Sequence, residues 1–512
     1  MSNRPWGHLR APEPDQINTY AKGLGWRLTA EETALYTRAV GATLAGLDEI
    51  EELPEHPVPL RHPYRDPGHT PQPGEDPYNA VIRFCEVRGA AEGPLAGRTL
   101  GVKDCIAVAG VPMTNGGRRE PVVVPTEDAV VIERLLDAGV TVTAKTNLED
   151  LGFGLGEGSA FGPARNPADP ARSTGGSSSG SGAAVASGLV DLALGADEGG
   201  SVRIPAAWCG LVGMKATHGL VPSYGMSYMN HTLDHIGPIT RTVADNALML
   251  EVMAGPDWRD PQWTRDLPEG PDAYTSAAER GVEGLRVGVL TEAVGPVGTT
   301  EDVRTAFEAA VKTLAGLGAS VSEVSVPLWE KGWAISMATM PAGTSFMVKS
   351  NGTGGFAHMG RVDPRLVAAL AAQSRTGGDD LPPMLKSMMF AAEHVYAQYG
   401  GVPFVKGHNL RLDLRRQVAA ALSQVDVLVM PTIPTVAHEL LTGRSGLDAF
   451  LVGEGRVGRA VANTSPTDLT GHPSLTVPCG TGEANLPVGL QIVGPRYAEK
   501  LLYQVGYAFE AV

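Results

Sequence analysis

The chain predicts an α/β protein: a large mixed, mostly parallel β-sheet covered by helices on both faces, preceded by a small helical region. Three observations carry this. Strand–helix–strand runs occur twice, at "RTLGVKD", "TEDAVVIERLLDAG", "VTVTAK" and again at "GLRVGVL", "TEDVRTAFEAAVKTLAGLG", "ASVSEVSV". That order implies right-handed crossovers on a sheet covered by helices. Gly 64 and Pro 39 exceed the usual share, which favours loops and tight turns over a coiled coil. No short-period repeat is present, so solenoids and propellers are disfavoured.

Taken in order, residues 1–53 read as a helical extension. Thr29 and Glu32 make a capping-box pattern, and Tyr36, Val40, Leu44 and Leu47 follow at helical spacing. This region buries little by itself and is expected to dock on the main body or on a partner subunit. Residues 54–79 hold eight prolines, a density that precludes a helix or central strand and reads as an extended linker. Residues 80–512 form the main domain. There Thr126 is the expected N-cap of a helix that stops at Gly139, and Thr300 opens a second helix. "VDVLVMPTIP" reads as a buried strand halted by prolines.

A formal charge of −15, from 41 basic and 56 acidic residues, disfavours a general nucleic-acid or anionic-membrane binder. The opening residues lack a secretory apolar core, and no run is long enough to span a bilayer. Cys85, Cys105, Cys209 and Cys479 are scattered without a CxxC pair, so neither a disulfide framework nor a zinc site is supported. A reducing cytoplasm is the expected location.

Chemistry concentrates in "STGGSSSGSGAAVASGLVDLALGADEGGSVRIPAAWCG", Ser173–Gly210. "GLVDLALGAD" reads as a strand, and "EGGS" separates it from a short helix beginning "RIPAAWCG". Reactive groups of open α/β sheets gather where strands end and helices begin. Gly199 and Gly200 let successive N–H groups converge beside the Ser201 hydroxyl, as an oxyanion requires; a plain glycine turn packed on the sheet has the same spacing. A serine nucleophile needs a base. No G-x-S-x-G match joins strand to helix convincingly, which leaves lysine. Lys103 ends the apolar strand "GVKD", where burial favours the neutral amine; a salt bridge to a nearby carboxylate is the alternative.

His231 and His235 stand four apart as metal ligands on a helix would, but the Glu of HExxH and a third ligand are missing, so no metal is expected. Cys105 reads as a small buried apolar side chain rather than a nucleophile. Trp333, Met337, Met340, Phe346, Met347, Met384, Met388 and Met389 read first as core filling. If they line a cleft instead, they predict an apolar or aromatic acyl group.

"GVKD", "GGSSSGS" and "GADEGGSVRIPAAWCGLVGMK" resemble the amidase signature enzymes in order and spacing, and Ser177 and Ser201 lie 24 positions apart as that family's two catalytic serines do. The resemblance continues through "TLDHIGPITRTVADNALMLEVMAGPD", "VDVLVMPTIPT", "LTGHPSLTVPCG" and "LPVGLQIVGP". With its helical extension the chain is similar to the nitrile-pathway amidases, which implies a homodimer. The resemblance implies Ser201 as nucleophile, Ser177 as the bridging serine beside a cis peptide, and Lys103 as base. It implies an oxyanion hole from the N–H groups of Glu198, Gly199, Gly200 and Ser201, with no cofactor. The implied reaction takes a small-molecule amide to acid and amine; anilides, esters and carbamates (urethanes) are further candidates. The glutaminase subunit of a tRNA-dependent amidotransferase, or a non-catalytic binding protein on the same fold, is the alternative. Glu198 and Asp468 depart from the residues common in relatives, which bears on selectivity.

Overall fold

A polar segment becomes the strand β1 (Arg65–His69), and short runs rich in apolar residues become β2 (Val81–Arg88), β3 (Thr99–Lys103) and β4 (Thr141–Thr146). A small hairpin, β5 (Arg165–Asn166) and β6 (Asp169–Ser173), follows. Next come β7 (Leu192–Asp197), β8 (Val212–Lys215), β9 (His235–Thr240), β10 (Arg286–Leu290) and β11 (Ser320–Val324). The last are β12 (Val427–Pro431), β13 (Ser474–Thr481) and β14 (Pro487–Val493). This is a computed structural model, and it describes residues 9–51, 53, 58–120, 122–260, 272–350, 360–376, 378–441 and 446–512. Among these, twelve strands form one sheet in the order β1-β2-β4-β3-β7-β9-β8-β13-β14-β12-β10-β11.

The sheet is mixed, as expected, but it is not mostly parallel. Parallel pairing is confined to β3 with β4 and β7, and to β10 with β11 and β12. The other neighbours run antiparallel, including β13 with β14, which a short connection joins directly.

The chain divides into two compact units, Met1–Pro59 and Leu60–Val512. In the first, helices span Pro14–Gly23 and Ala30–Glu51. The capping box forms: Thr29 N–H donates to Glu32 Oε2 at 2.7 Å and Glu32 N–H to Thr29 Oγ1 at 3.2 Å. The start of the expected linker, 54–57, lies outside the described residues. Further on, Arg65–His69 pairs with β2 as an edge strand. Pro67 is tolerated there because an outer edge needs no N–H donor.

Side chains of β7 alternate between the faces. Leu192, Leu194 and Ala196 enter one core with Leu100 and Val102, while Ala193 joins another with Ala183, Val185 and Ala206. The helix Ser179–Ala186 contributes only small side chains to that second core. At Gly180 a Cβ would collide with the Ala80 carbonyl oxygen, so only glycine allows this approach. A separate group of helices, Gly332–Lys349, Pro383–Tyr399 and Val402–Leu422, packs with the short helix Ser465–Thr470. The helix expected to begin at Thr126 spans Val130–Asp137 instead. The Asp128 carboxylate accepts from Ala109 N–H at 2.8 Å and from the Arg65 guanidinium, which holds the preceding residues as a turn. Among the described residues no helix is long and apolar enough to cross a membrane.

Candidate active site

The parallel neighbours β3 and β7 end on the same side of the sheet, with Val102 opposite Leu194. Lys103 is the last residue of β3, and Glu198 to Ser201 lie just beyond β7. Lys103 follows the buried Leu100 and Val102 and is itself only 1% exposed. Its Nζ donates to Ser177 Oγ at 2.8 Å and to the Ala196 carbonyl at 3.2 Å. Ser177 precedes the helix Ser179–Ala186, and the Gly176–Ser177 peptide is cis. Glu149 N–H donates to the Ser177 carbonyl at 3.3 Å, which pins its backbone.

The loop after β7 is held from below. The Asp197 carboxylate accepts from Val202 N–H at 3.0 Å and from Arg203 Nε and Nη2 at 3.0 and 2.9 Å. Arg203 also donates to Asp468 Oδ2 at 2.8 Å, Thr464 O at 3.0 Å and Gln491 Oε1 at 3.0 Å. From the side, Thr464 Oγ1 donates to the Gly199 carbonyl. Gly200 has φ +142, and a Cβ there would collide with Thr464 Oγ1, so the position requires glycine. Among the described residues nothing accepts from the N–H groups of Gly199, Gly200 or Ser201. Three consecutive donors without protein partners are what a developing oxyanion needs.

Burial pushes the Asp197 carboxyl up, but the Arg203 charge and hydrogen bonds overrule it and hold the group at about 2. Burial pushes Glu198 up to about 7 against the opposing pull of Lys103, and the Asp197 charge adds to the rise. Asp468 is held well above the usual carboxylate range by burial and by Asp197. Burial lowers Lys215, behind the loop, to about 8.

Ser201 faces a cavity of about 190 Å³, whose near wall includes Gly176, Glu198 and Gly199. The far wall is Trp333, Met337, Met340, Pro341, Met384 and Met388. The methionine-rich region is therefore divided: Trp329 is fully buried core, while these side chains line the cleft. A neighbouring cavity of about 320 Å³ shares Phe153, Gly154, Leu155, Met384 and Val457 with it. Of the three residues expected to act together, Lys103 and Ser177 are directly bonded. Ser201 Oγ makes no hydrogen bond among the described residues; it lines the cavity together with Gly176, the residue before Ser177.

His231 and His235 do not share a helix face: His231 sits in a turn and His235 opens β9. His235 stacks edge-on against His218, and His231 packs at a tilt against Tyr228. Among the described residues no group of three His, Cys, Asp or Glu side chains is placed to hold a metal. Cys105 is buried, which pushes its thiol up to about 12. Sequence reasoning missed Asp197, Arg203 and Thr464. Asp197 and Arg203 carried a faint signal, as charges flanking the glycine pair inside an apolar context; Thr464 carried none.

A family model described as Amidase matches residues 84–503. The chain is 40% identical to a glutamyl-tRNA(Gln) amidotransferase subunit of Natronomonas pharaonis, over 84% of this chain and 99% of that one. It is 36% identical to an enantioselective amidase of Rhodococcus rhodochrous, over 98% of this chain and 96% of that one. Among solved structures, the corresponding glutamyl-tRNA(Gln) amidotransferase subunit of Thermotoga maritima superposes with a TM-score of 0.69 at 31% identity, covering 84% of this chain and 87% of that one. With a buried lysine–serine hydrogen bond beside the end of β3, a glycine loop after the adjacent β7 whose amides have no partner among the described residues, and a family match over most of its length, the chain belongs to the amidase family and is an amide hydrolase of the amidase signature type.

Proposed function

We propose that the chain hydrolyses carboxylic amides through an acyl-enzyme on Ser201, with Ser177 and Lys103 moving the proton. Ser201 Oγ attacks the carbonyl carbon; its proton passes to Ser177, whose own hydroxyl proton goes to Lys103. The N–H groups of Glu198, Gly199, Gly200 and Ser201 take the negative charge that develops on the carbonyl oxygen. The proton returns through Ser177 to the departing nitrogen, the C–N bond breaks, and water then releases the acid from Ser201 by the same steps in reverse. Ester and carbamate carbonyls are open to the same attack. The observation that carries this reading is the buried 2.8 Å bond from Lys103 Nζ to Ser177 Oγ, at the foot of a loop with unengaged amides. No step calls for a cofactor. The reading includes a homodimer in the cytoplasm, supported by the helical extension and the scattered cysteines.

A fluorophosphonate labels the wild type and not Ser201→Ala, and Lys103→Met lowers amide turnover at neutral pH by about 10³-fold or more. Unchanged rates in Lys103→Met defeat the proposal. A second reading, the glutaminase component of a tRNA-dependent amidotransferase, is favoured by the 40% identity to a glutamyl-tRNA(Gln) amidotransferase subunit. Against it stands the alignment of the amidase from Rhodococcus along nearly the whole chain. Glutamine hydrolysis that appears only in the presence of other amidotransferase components selects the second reading.

A further inference from the structure

The C-terminal end of the helix Ser465–Thr470 meets a group of positive charges that has no part in the steps above. Arg411 and Arg415 stand one turn apart on the helix Val402–Leu422. Arg411 Nε donates to the Leu469 carbonyl, and Arg415 Nε to the Thr470 carbonyl at 2.7 Å. Arg496, beyond β14, comes close enough for its charge to act on Arg415. His218 and His472 complete the group: a Cβ on Gly471 would lie 3.1 Å from His218 Cβ and 3.2 Å from Arg415 Nη2. None of these side chains lines the cavity that Ser201 faces.

We infer that Arg411, Arg415 and Arg496 together form a binding site for a small oxyanion, a phosphate or a carboxylate. The first reason is missing counter-charge. The chain carries a net charge of −15, yet among the described residues none of the three arginines forms an ion pair. The neighbouring carboxylates are taken: Asp413 pairs with Arg416, and Asp468 with Arg203.

The second reason is unused donors. A guanidinium carries five N–H groups, and capping the two carbonyls takes only the Nε of Arg411 and of Arg415. Their Nη groups donate to nothing among the described residues. Arg496 makes one bond, from Nη2 to Tyr497 Oη at 3.1 Å. Such forks match the paired oxygens of a phosphate or carboxylate.

The third is repulsion. All three arginines are half-buried, where like charges repel more strongly than in open water. Burial lowers Arg411 to about 10, and Arg415 adds to the fall; burial and then Arg496 lower Arg415. Burial, reinforced by these charges and by Lys215, brings His218 and His472 down to about 3, so both rings are neutral. An anion at the centre of the group relieves the repulsion, and the overall negative charge of the chain disfavours a large polyanion there.

Isothermal titration calorimetry of the full chain with sodium phosphate, and separately with sodium acetate, tests this at a constant ionic strength of about 0.15 M. Expected is saturable binding of at least one of them, with a Kd of about 1 mM or tighter; which one binds tells phosphate from carboxylate. Arg496→Gln, which leaves both carbonyl caps in place, should weaken binding by about tenfold or more, and so should Arg415→Gln. Arg416→Gln removes an exposed arginine of the same helix and should leave binding within about twofold. Urea unfolding gives a second readout: the anion should raise the midpoint of the wild type and of Arg416→Gln, and not that of Arg496→Gln. Absence of saturable binding by either anion overturns the inference. So does binding that Arg496→Gln and Arg415→Gln leave unchanged, or that Arg416→Gln weakens equally.

Discussion

Thr464 Oγ1 donates a 2.5 Å hydrogen bond to the carbonyl of Gly199. Because a trans peptide is planar, fixing that carbonyl directs the Gly200 N–H to the opposite side of the same unit. One hydroxyl from a distant segment thus orients a donor of the proposed oxyanion hole.

Thr464→Val keeps the side-chain shape and removes the hydroxyl. Expected is a fall in kcat of about 10²-fold, the usual cost of misplacing a reacting or stabilising group by about an ångström. Gly200→Ala should do at least as much, since its Cβ would collide with Thr464 Oγ1. Steady-state kinetics on a benzamide-class substrate checks both; kcat within about twofold of wild type in Thr464→Val would refute the relationship.

Arg203 stands between two buried carboxylates, Asp197 at 2.9 Å and Asp468 at 2.8 Å. Arg203→Met leaves the Asp197 carboxylate without its counter-charge and Asp468 without its donor, and breaking a buried pair by removing one partner costs about 3–5 kcal/mol. Asp468→Asn should behave differently. Burial and Asp197 already hold Asp468 well above the usual carboxylate range, so a neutral amide there is expected to cost less than about 1 kcal/mol. Urea unfolding of the two variants separates them; equal losses would contradict the account.

Glu149 has a pH signature of its own. Burial pushes its carboxyl from 4.5 up to about 7, against hydrogen bonds from Gly158 N–H and Ser179 Oγ. Below pH 4.5 it is protonated whether the chain is folded or unfolded. Between 4.5 and about 7 the unfolded chain gives up the proton and the native protein keeps it, so the native state binds more protons and stability falls as pH rises. Above about 7 the loss is complete, and it amounts to about 3 kcal/mol. Unfolding free energies of wild type and Glu149→Gln at pH 4.5, 6 and 8 test this: the variant should gain on the wild type as pH rises. A difference that is flat with pH, or that runs the other way, rejects it.

The wall formed by Trp333, Met337, Met340 and Met388 predicts preference for apolar or aromatic acyl groups. Benzamide should exceed acetamide in kcat/KM by about tenfold or more, since apolar burial gains about 25 cal/mol per Å². Trp333→Ala should reduce that preference. Equal or better use of acetamide would exclude the cavity as the acyl site.

Local signals in the chain carried a long way. The capping box at Thr29 and Glu32, the alternating run at β4 and the apolar run at β12 are readable because each depends on neighbours a few positions off. Thr126 misled because the first turn of that helix was decided by Asp128, whose carboxylate is taken by Arg65. Strand direction was also out of reach: a buried strand reads as the same apolar run whether its neighbour runs parallel or antiparallel.

The motifs of Ser173–Gly210 and "GVKD", with the later matching segments, carried the resemblance to the family, and it was that resemblance that pointed to Lys103, Ser177 and Ser201; residue order and spacing are properties of the chain itself. Tertiary structure alone decided that Lys103 and Ser177, 74 positions apart, share a hydrogen bond, and that Thr464, 265 positions from Gly199, sets the angle of the glycine loop. It also decided that Met337, Met340, Met384 and Met388 line the cavity while Trp329 is buried in the core. Such pairings follow from sheet order and helix packing, and burial, which shifts Glu198 and Asp468, exists only once the layers have closed.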